Sequence, residues 1–551
     1  MRNFTIGLLA VLASCTSAPG QTKQNTNPDI GWQALGKQGA VCAGGSEAVA
    51  AGLASLKNGG NAVDAAVTTI FALSVTDSKS FCFGGEVPIM VYDAKRNVVE
   101  LLCGLGTAPK LATREYFEKR PGGIPGKGIE AAAVPGLLDG CLTALDRYGT
   151  ITFAEAAQPT LALLDRHQMP WHADLAATIR SLIDAEKASP KDRKRGLRLV
   201  ADYFYRGPLA KEIDAWCRQN GGLIRYTDLA THVTRIEDPL SVDYRGHVVY
   251  KCGVWNQGPY LLQTLRLLEG FDLKAMGHNR PDTVHVMAEA MKLALADRDV
   301  YYADPLFVDV PTQALLSKKY ADLRRPLIDM KKASQIRQPG DPVNGKALLQ
   351  NPPLEAGPGG PAQDTTTCVV ADKLGNVVAA TPSGFSGALV GKTGVYLSTR
   401  LQSFNIWKGH PNCIEPGKRP RITLTPGMVF KDGKPILAVS VAGGDGQDQA
   451  ALQVIVNHLE FGMNPAEAVT APRFGTKHHL GSFRQTPPEL GSLILYPEFG
   501  QKTFDDLAAR GHKISRPKAH LWNPSVITID HQSGILRAAG DPRAKRHAAA
   551  Y

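Results

Sequence analysis

What this 551-residue chain lacks narrows its function first. None of its nine cysteines forms a Cys-x-x-Cys pair, which removes zinc ribbons and dithiol redox motifs. It carries neither a P-loop nor a dinucleotide fingerprint, so no nucleotide cofactor is expected. His478 and His479 are adjacent, their side chains diverge on any regular element, and no carboxylate completes a zinc set with them. Gly384-Phe385-Ser386-Gly387-Ala388 lacks the last glycine of a nucleophile elbow and has no strand–turn–helix context. Beyond the N-terminus no window reaches the roughly 18 apolar residues of a membrane-spanning helix. The net charge of +11 is spread along the chain apart from short clusters such as 191–198. That pattern reads as a solvated basic surface, not a nucleic-acid footprint. Hydrophobic (43%), aromatic (7%) and charged (21%) contents are those of a globular protein.

What is present starts at the N-terminus. Arg2 precedes a short apolar run, 4–12, and Leu12-Ala13-Ser14-Cys15 resembles a bacterial lipobox, in which the cysteine becomes the lipidated first residue. An ordinary signal peptide with an incidental cysteine is the alternative. The Gln-, Asn-, Thr- and Pro-rich stretch after it reads as a flexible tether. An exported location permits disulfides among the other eight cysteines, and the sequence leaves bridges and buried thiols both open.

The first third reads as mainly helical. A helix is expected over 46–58, ending at Gly59-Gly60, and Asn61 caps a second with Asp64 three residues on. A glycine turn, Phe83-Gly84-Gly85, precedes a strand over 87–92, and further helices are expected over 134–147, 153–166 and 284–302. From about 332 to 364 Gln, Pro, Gly and Asn dominate, a segment without an element of its own. Then strands take over: 365–371 and 377–381 form a hairpin around the Asp372–Asn376 turn, 428–430 and 435–441 a second, and a helix over 447–459 follows Gly443-Gly444. Such an order fits layered sheets covered by helices.

A threonine at the start of a strand, behind a flexible segment, has a chemical meaning. Its hydroxyl is a weak nucleophile unless a base lies beside it. A chain cut in front of Thr365 would free an α-amine with a pKa near 7.7–8.0 to serve as that base. By itself the Asp364-Thr365-Thr366-Thr367 run is also an ordinary strand pattern. Its context is specific. Leu56-Lys57-Asn58-Gly59-Gly60-Asn61-Ala62-Val63-Asp64-Ala65-Ala66, Phe83-Gly84-Gly85, Val134-Pro135-Gly136, Ala296-Asp297-Arg298, Lys418-Arg419-Pro420 and Ala471-Pro472-Arg473-Phe474 occur in order. With them the chain resembles the γ-glutamyltransferase family of N-terminal-nucleophile hydrolases over nearly its whole length.

The resemblance implies a four-layer αββα sandwich, mixed α/β in class, and a precursor that cuts itself. Together with the N-terminal reading, residues 1–15 are expected to be a lipoprotein-type signal peptide and 16–30 a tether. Residues 31–364 are a large subunit, and 365–551 a small catalytic subunit that stays bound to it. It places the nucleophile on Thr365 and the cut after Asp364. Ser383 is the hydroxyl that orients the nucleophile, and the amides of Gly443 and Gly444 are the oxyanion hole. A small-molecule amide is the implied substrate, with no metal or other cofactor. Lipid at Cys15 is the membrane contact, in the periplasm or cell envelope.

Departures from the family pattern bear on specificity. Leu105 stands where an arginine grips the α-carboxylate of a γ-glutamyl group, and Ser403 where an acidic residue holds its α-amine. Ile422 and Thr423 replace paired serines, and Phe385 an asparagine. Arg400 adds a positive charge at the clamp, either for an acidic substrate group or as a structural ion pair; with Ser403 and Thr423 it makes up the expected substrate site. An N-terminal-threonine amidohydrolase or acyltransferase with altered acyl specificity is expected. The alternatives are a true γ-glutamyl hydrolase or transferase acting on glutathione-like substrates, and a catalytically silent binding protein.

Overall fold

Period-two alternation along the strands sets the layers in the computed structural model, which describes residues 30–344, 364–520 and 522–551. In one seven-stranded sheet the strands run His547–Ala550, Gly39–Ala43, Cys368–Asp372, Val377–Ala380, Val87–Asp93, Val98–Gly104 and Arg235–Glu237, in that spatial order and antiparallel throughout. The other is Gln33–Gly36, Ile535–Gly540, Asn523–Asp530, Lys434–Ala442, Gly427–Lys431, His247–Lys251 and Leu240–Tyr244, also antiparallel.

Alternate side chains of each strand go to different cores. Val369, Ala371, Val377 and Ala379 of the first sheet meet Met428, Phe430, Ala438 and Ile527 of the second, a seam rich in small residues that lets the two sheets approach. Val370, Val378 and Ile89 face the opposite way, onto helices Ser46–Lys57, Ala62–Thr76 and Leu137–Tyr148. Val429, Val439 and Val526 face helices Pro259–Leu268, Pro281–Tyr301 and Gln447–Phe461. Helix, sheet, sheet, helix: the four-layer αββα order is present. A small third sheet, Phe474–Gly475, Ser492–Leu495 and Lys513–Ser515, lies apart from both.

Local chemistry explains the joints that matter for the site. Asn61 accepts from the amides of Val63 and Asp64, and Asp64 returns a bond to the Asn61 amide (2.9 Å), a capping box. The next amide, Ala62, donates to Asp372 Oδ2 (2.8 Å). Asp372 also accepts from the amides of Leu374 and Asn376, so one carboxylate closes the Asp372–Asn376 turn and pins it to a helix N-terminus. Gly84 and Gly85 are required by close approach. A β-carbon on Gly84 would strike the Tyr396 carbonyl oxygen, and one on Gly85 the Ser383 carbonyl oxygen.

Three expectations shift. The helix expected from 134 begins at Leu137, because Val134-Pro135-Gly136 stays outside it and the amides of Gly136 and Leu137 donate to the Gly85 carbonyl. The strand expected from 365 begins at Cys368; Thr365 instead makes an isolated bridge to Ser383, and the Thr366 amide donates to the Pro382 carbonyl (2.9 Å). The first third also holds the strands Gly39–Ala43 and Val98–Gly104. Gly39–Ala43 is buried on both faces, so it shows no polar alternation to read. All eight described cysteines are free and buried, which settles the disulfide question for them.

Candidate active site

The hairpin delivers Thr365 and Ser383 to one end of the first sheet. Thr365 precedes the strand Cys368–Asp372 and Ser383 follows the strand Val377–Ala380, so antiparallel pairing brings them opposite each other. Both are buried, and their hydroxyl oxygens lie 3.1 Å apart. Ser383 is clamped between strands. Its amide donates to the Glu86 carbonyl and the Glu86 amide to its own carbonyl, each at 3.0 Å.

The carbonyl of the bond between Asp364 and Thr365 is held by two donors. The Ser383 hydroxyl donates to the Asp364 carbonyl oxygen, and the Gly384 amide donates to the same oxygen at 3.2 Å. Donors converging on a carbonyl stabilise the negative charge it acquires when attacked. On the other side of the bond, Arg546 Nη2 reaches the Thr365 carbonyl at 3.5 Å and its Nη1 pairs with Asp77 at 3.4 Å.

Arg400 is fully buried beside this bond and is already engaged. Its Nη2 donates to Asp364 Oδ2 (2.7 Å) and to Ser383 Oγ (3.0 Å), and its Nε pairs with Glu86. Thr399 Oγ1 donates to the same Asp364 oxygen at 2.7 Å, and the Phe385 amide reaches it at 3.4 Å. One guanidinium thus serves two carboxylates. Burial pushes the Glu86 carboxyl up to about 8, against the pull of Arg400 and with the Asp364 charge adding to the rise. Of the other expected substrate residues, Ser403 ends the short turn Arg400–Ser403, buried, with its hydroxyl unpartnered. Thr423 is buried, and Gln257 Nε2 lies 3.3 Å from both its carbonyl and that of Gly444.

Gly443 and Gly444 lie where the strand Lys434–Ala442 meets the helix Gln447–Phe461, both in left-handed backbone (φ 136° and 58°). Ser440, three residues earlier, binds across the sheets to Thr381 Oγ1 (2.9 Å) and to the Ala380 carbonyl (2.8 Å). The glycine turn and Ser383 therefore leave the two sheets at the same end. Asp445 braces the turn. Its Oδ1 accepts from Arg298 Nη1 (2.7 Å) and its Oδ2 from the Ser482 amide (2.9 Å). Burial opposes the Asp445 charge, but Arg298 and Ser482 outweigh it and hold the carboxyl below its usual range.

Sequence reasoning missed Glu86, Arg298, Asp445 and Arg546. The Ala296-Asp297-Arg298 motif could have flagged one of them; Glu86 follows the glycine turn but gave no signal of its own. Leu105 is buried at the wall of a cavity of about 520 Å³ that Cys103, His232 and Arg419 also line. Arg419 is neutralised there by Glu237 (2.6 Å) and Asp304 (2.8 Å). Cys15 lies outside the described residues.

One cluster of metal-ligating types occurs among the described residues: His285, Glu289 and His512. Their atoms are mostly committed to protein partners. His285 Nδ1 bonds His512 Nε2 and its Nε2 the Asp329 carbonyl, both at 2.8 Å, and Lys292 Nζ holds Glu289 at 2.6 Å. A cation would have to displace that lysine, so the residues do not fit a metal.

The αββα layer order is that of the N-terminal-nucleophile hydrolases. The profile of the gamma-glutamyltranspeptidase family matches residues 48–194 and 172–551. The chain is 34% identical to the acylase ACY 1 proenzyme of Pseudomonas sp. (strain SE83), with 92% of each covered. It is 32% identical to the glutathione hydrolase proenzyme of Escherichia coli (strain K12), over 98% of this chain and 97% of that one. A crystal structure of cephalosporin acylase from Bacillus halodurans superposes with a TM-score of 0.78 at 28% identity, covering 98% of this chain and 99% of that one. The chain belongs to the gamma-glutamyltranspeptidase family and is an amide hydrolase or acyltransferase of that kind.

Proposed function

We propose that this protein cuts itself between Asp364 and Thr365 and then hydrolyses small amides through an acyl-enzyme on Thr365. The observation that carries the reading is the doubly held Asp364 carbonyl, with Thr365 Oγ1 within 3.1 Å of Ser383 Oγ. In the precursor, Thr365 Oγ attacks that carbonyl and gives up its proton. The carbon–nitrogen bond breaks, and the nitrogen takes a proton to become a free amine. Water then cleaves the ester, leaving a carboxylate on Asp364 and restoring the threonine hydroxyl. In the mature enzyme the α-amine takes the hydroxyl proton and passes it to the leaving amine, and the amides of Gly443 and Gly444 stabilise the oxyanion. Residues 31–364 become the large subunit and 365–551 the catalytic one.

Specificity departs from γ-glutamyl. Leu105 and Ser403 supply no charge for a zwitterionic head, which favours the acylase-like reading over the glutathione hydrolase. Cys15 is the proposed lipid anchor of an exported, periplasmic or cell-envelope protein. Denaturing electrophoresis with N-terminal sequencing tests the maturation. Wild type should give a fragment beginning at Thr365, and Thr365→Ala a single intact chain. Cleavage that persists in Thr365→Ala would eliminate Thr365 as the nucleophile of maturation.

A further inference from the structure

Gly443 and Gly444 carry no side chain, so the orientation of their turn comes from the groups around it. Those groups form a line of buried contacts that runs back into the large subunit. Arg298, in the last turn of the helix Pro281–Tyr301, reaches the glycine turn by two routes. Its Nη1 donates to Asp445 Oδ1 at 2.7 Å and to Gln257 Oε1 at 3.2 Å, and Gln257 Nε2 donates to the Gly444 carbonyl at 3.3 Å. The other edge of the same guanidinium is held by Asp299, whose Oδ1 accepts from Nε at 3.0 Å and from Nη2 at 2.7 Å.

A second arginine enters at Asp299. Its Oδ2 accepts from Arg337 Nη2 at 2.9 Å and from the Leu480 amide at 2.8 Å. A carboxylate facing a single guanidinium favours meeting it with both oxygens. Arg337 occupies Oδ2, so Arg298 is confined to Oδ1 and its Nη1 stays with Asp445 and Gln257. The backbone around Arg337 is docked on the same helix, with the Ser334 amide on Glu289 Oε2 (3.1 Å) and the Gly340 amide on Asp297 Oδ1 (2.8 Å). Arg337 is buried, and among the described residues its Nε and Nη1 have no hydrogen-bond partner. A buried ion pair so incompletely partnered adds little to stability, which leaves orientation of Asp299 as its effect.

Resting on the reading of Gly443 and Gly444 as the oxyanion hole, we infer that Arg337, through Asp299 and Arg298, is a positioning residue for amide hydrolysis by the mature enzyme. Self-cleavage makes a different demand. There the Asp364 carbonyl is held by the Ser383 hydroxyl and the Gly384 amide, outside this relay. Two reactions of one nucleophile should therefore respond differently to the same substitution, which separates positioning from support of the fold.

The test follows Arg337→Met through both reactions. Denaturing electrophoresis should show maturation within twofold of wild type. On p-nitrophenyl butyrate, an activated acyl donor, the matured variant should lose roughly tenfold in kcat with KM within twofold, less than the roughly 10²–10³ lost with a whole oxyanion donor. Arg337→Lys, which keeps a cation for Asp299 Oδ2, should recover most of that loss. In an Asp445→Ala background, where Arg298 has no carboxylate to hold on the turn, Arg337→Met should cost less than threefold further. If Arg337→Met does not fold, Arg337→Gln is carried through the same two reactions, with the same split expected. Normal maturation with kcat within threefold of wild type overturns the relay, and so does a full tenfold loss in the Asp445→Ala background. Maturation slowed in step with kcat also overturns it, since that marks a defect of the fold. Wild-type enzyme that matures at Thr365 yet hydrolyses no ester overturns the parent reading instead.

Discussion

Ser383→Ala isolates the contribution of one hydroxyl to self-cleavage. In the uncut chain this oxygen donates to the Asp364 carbonyl, lies 3.1 Å from Thr365 Oγ1, and accepts from Arg400 Nη2 at 3.0 Å. Removing one donor from a developing oxyanion costs about 2.7–4 kcal/mol, or roughly 10²–10³ in rate. The Gly384 amide remains on the same carbonyl at 3.2 Å, so cleavage should slow by about that factor and not stop. The fold should barely notice. Arg400 Nη2 keeps Asp364 as a partner at 2.7 Å, and alanine leaves no large cavity, so the stability loss should stay near 1 kcal/mol. Ser383→Thr, which retains a hydroxyl, should recover most of the rate. The assay is a pulse-labelled chain chased over time and resolved by denaturing electrophoresis, with melting temperature measured on the same variants. A Ser383→Ala chain that matures within threefold of wild type, or a Ser383→Thr chain as slow as the alanine variant, would refute the reasoning.

Two further outcomes follow from buried charge. Glu86 titrates near 8 in the precursor, faced by Arg400, Asp364, Cys82 and Ser398. Its folded pKa lies above its unfolded one, so the folded chain holds a proton that the unfolded chain has released. Uncleaved Thr365→Ala should therefore lose stability as pH rises from about 5 to about 8, and adding Glu86→Gln should flatten that slope in melting temperature. Lys251 and Asp448, both fully buried and 2.8 Å apart, hold the first turn of the helix after the glycine loop to the strand His247–Lys251. Lys251→Met should cost about 3–5 kcal/mol by leaving Asp448 unpaired, whereas Lys251→Met with Asp448→Leu should recover most of it, as read by a double-mutant cycle in thermal unfolding.

Much of this protein was legible in the chain. Asn61 and Asp64 marked a helix start, Gly375 the hairpin turn, and β-branched residues the strands on either side of it, because each is a local preference of a few neighbouring residues. The succession of motifs brought the family and the fold, and put forward Thr365, Ser383, Gly443 and Gly444 as candidates. Thr365–Thr367 looked like continued strand, since β-branched residues favour that conformation wherever a ladder is on offer. Tertiary structure withdrew the ladder, pairing the Thr366 amide with Pro382 and bridging Thr365 to Ser383. Arg400 is the clearest division between the two. Its sequence position shows a charge at a clamp, and nothing nearby in the chain says what that charge meets. Glu86 and Asp364 are 314 and 36 residues away, and only the packing of three segments around one guanidinium decides that both carboxylates share it. Charge acts through space over a few ångströms, so its partners are fixed by the fold and not by the order of residues.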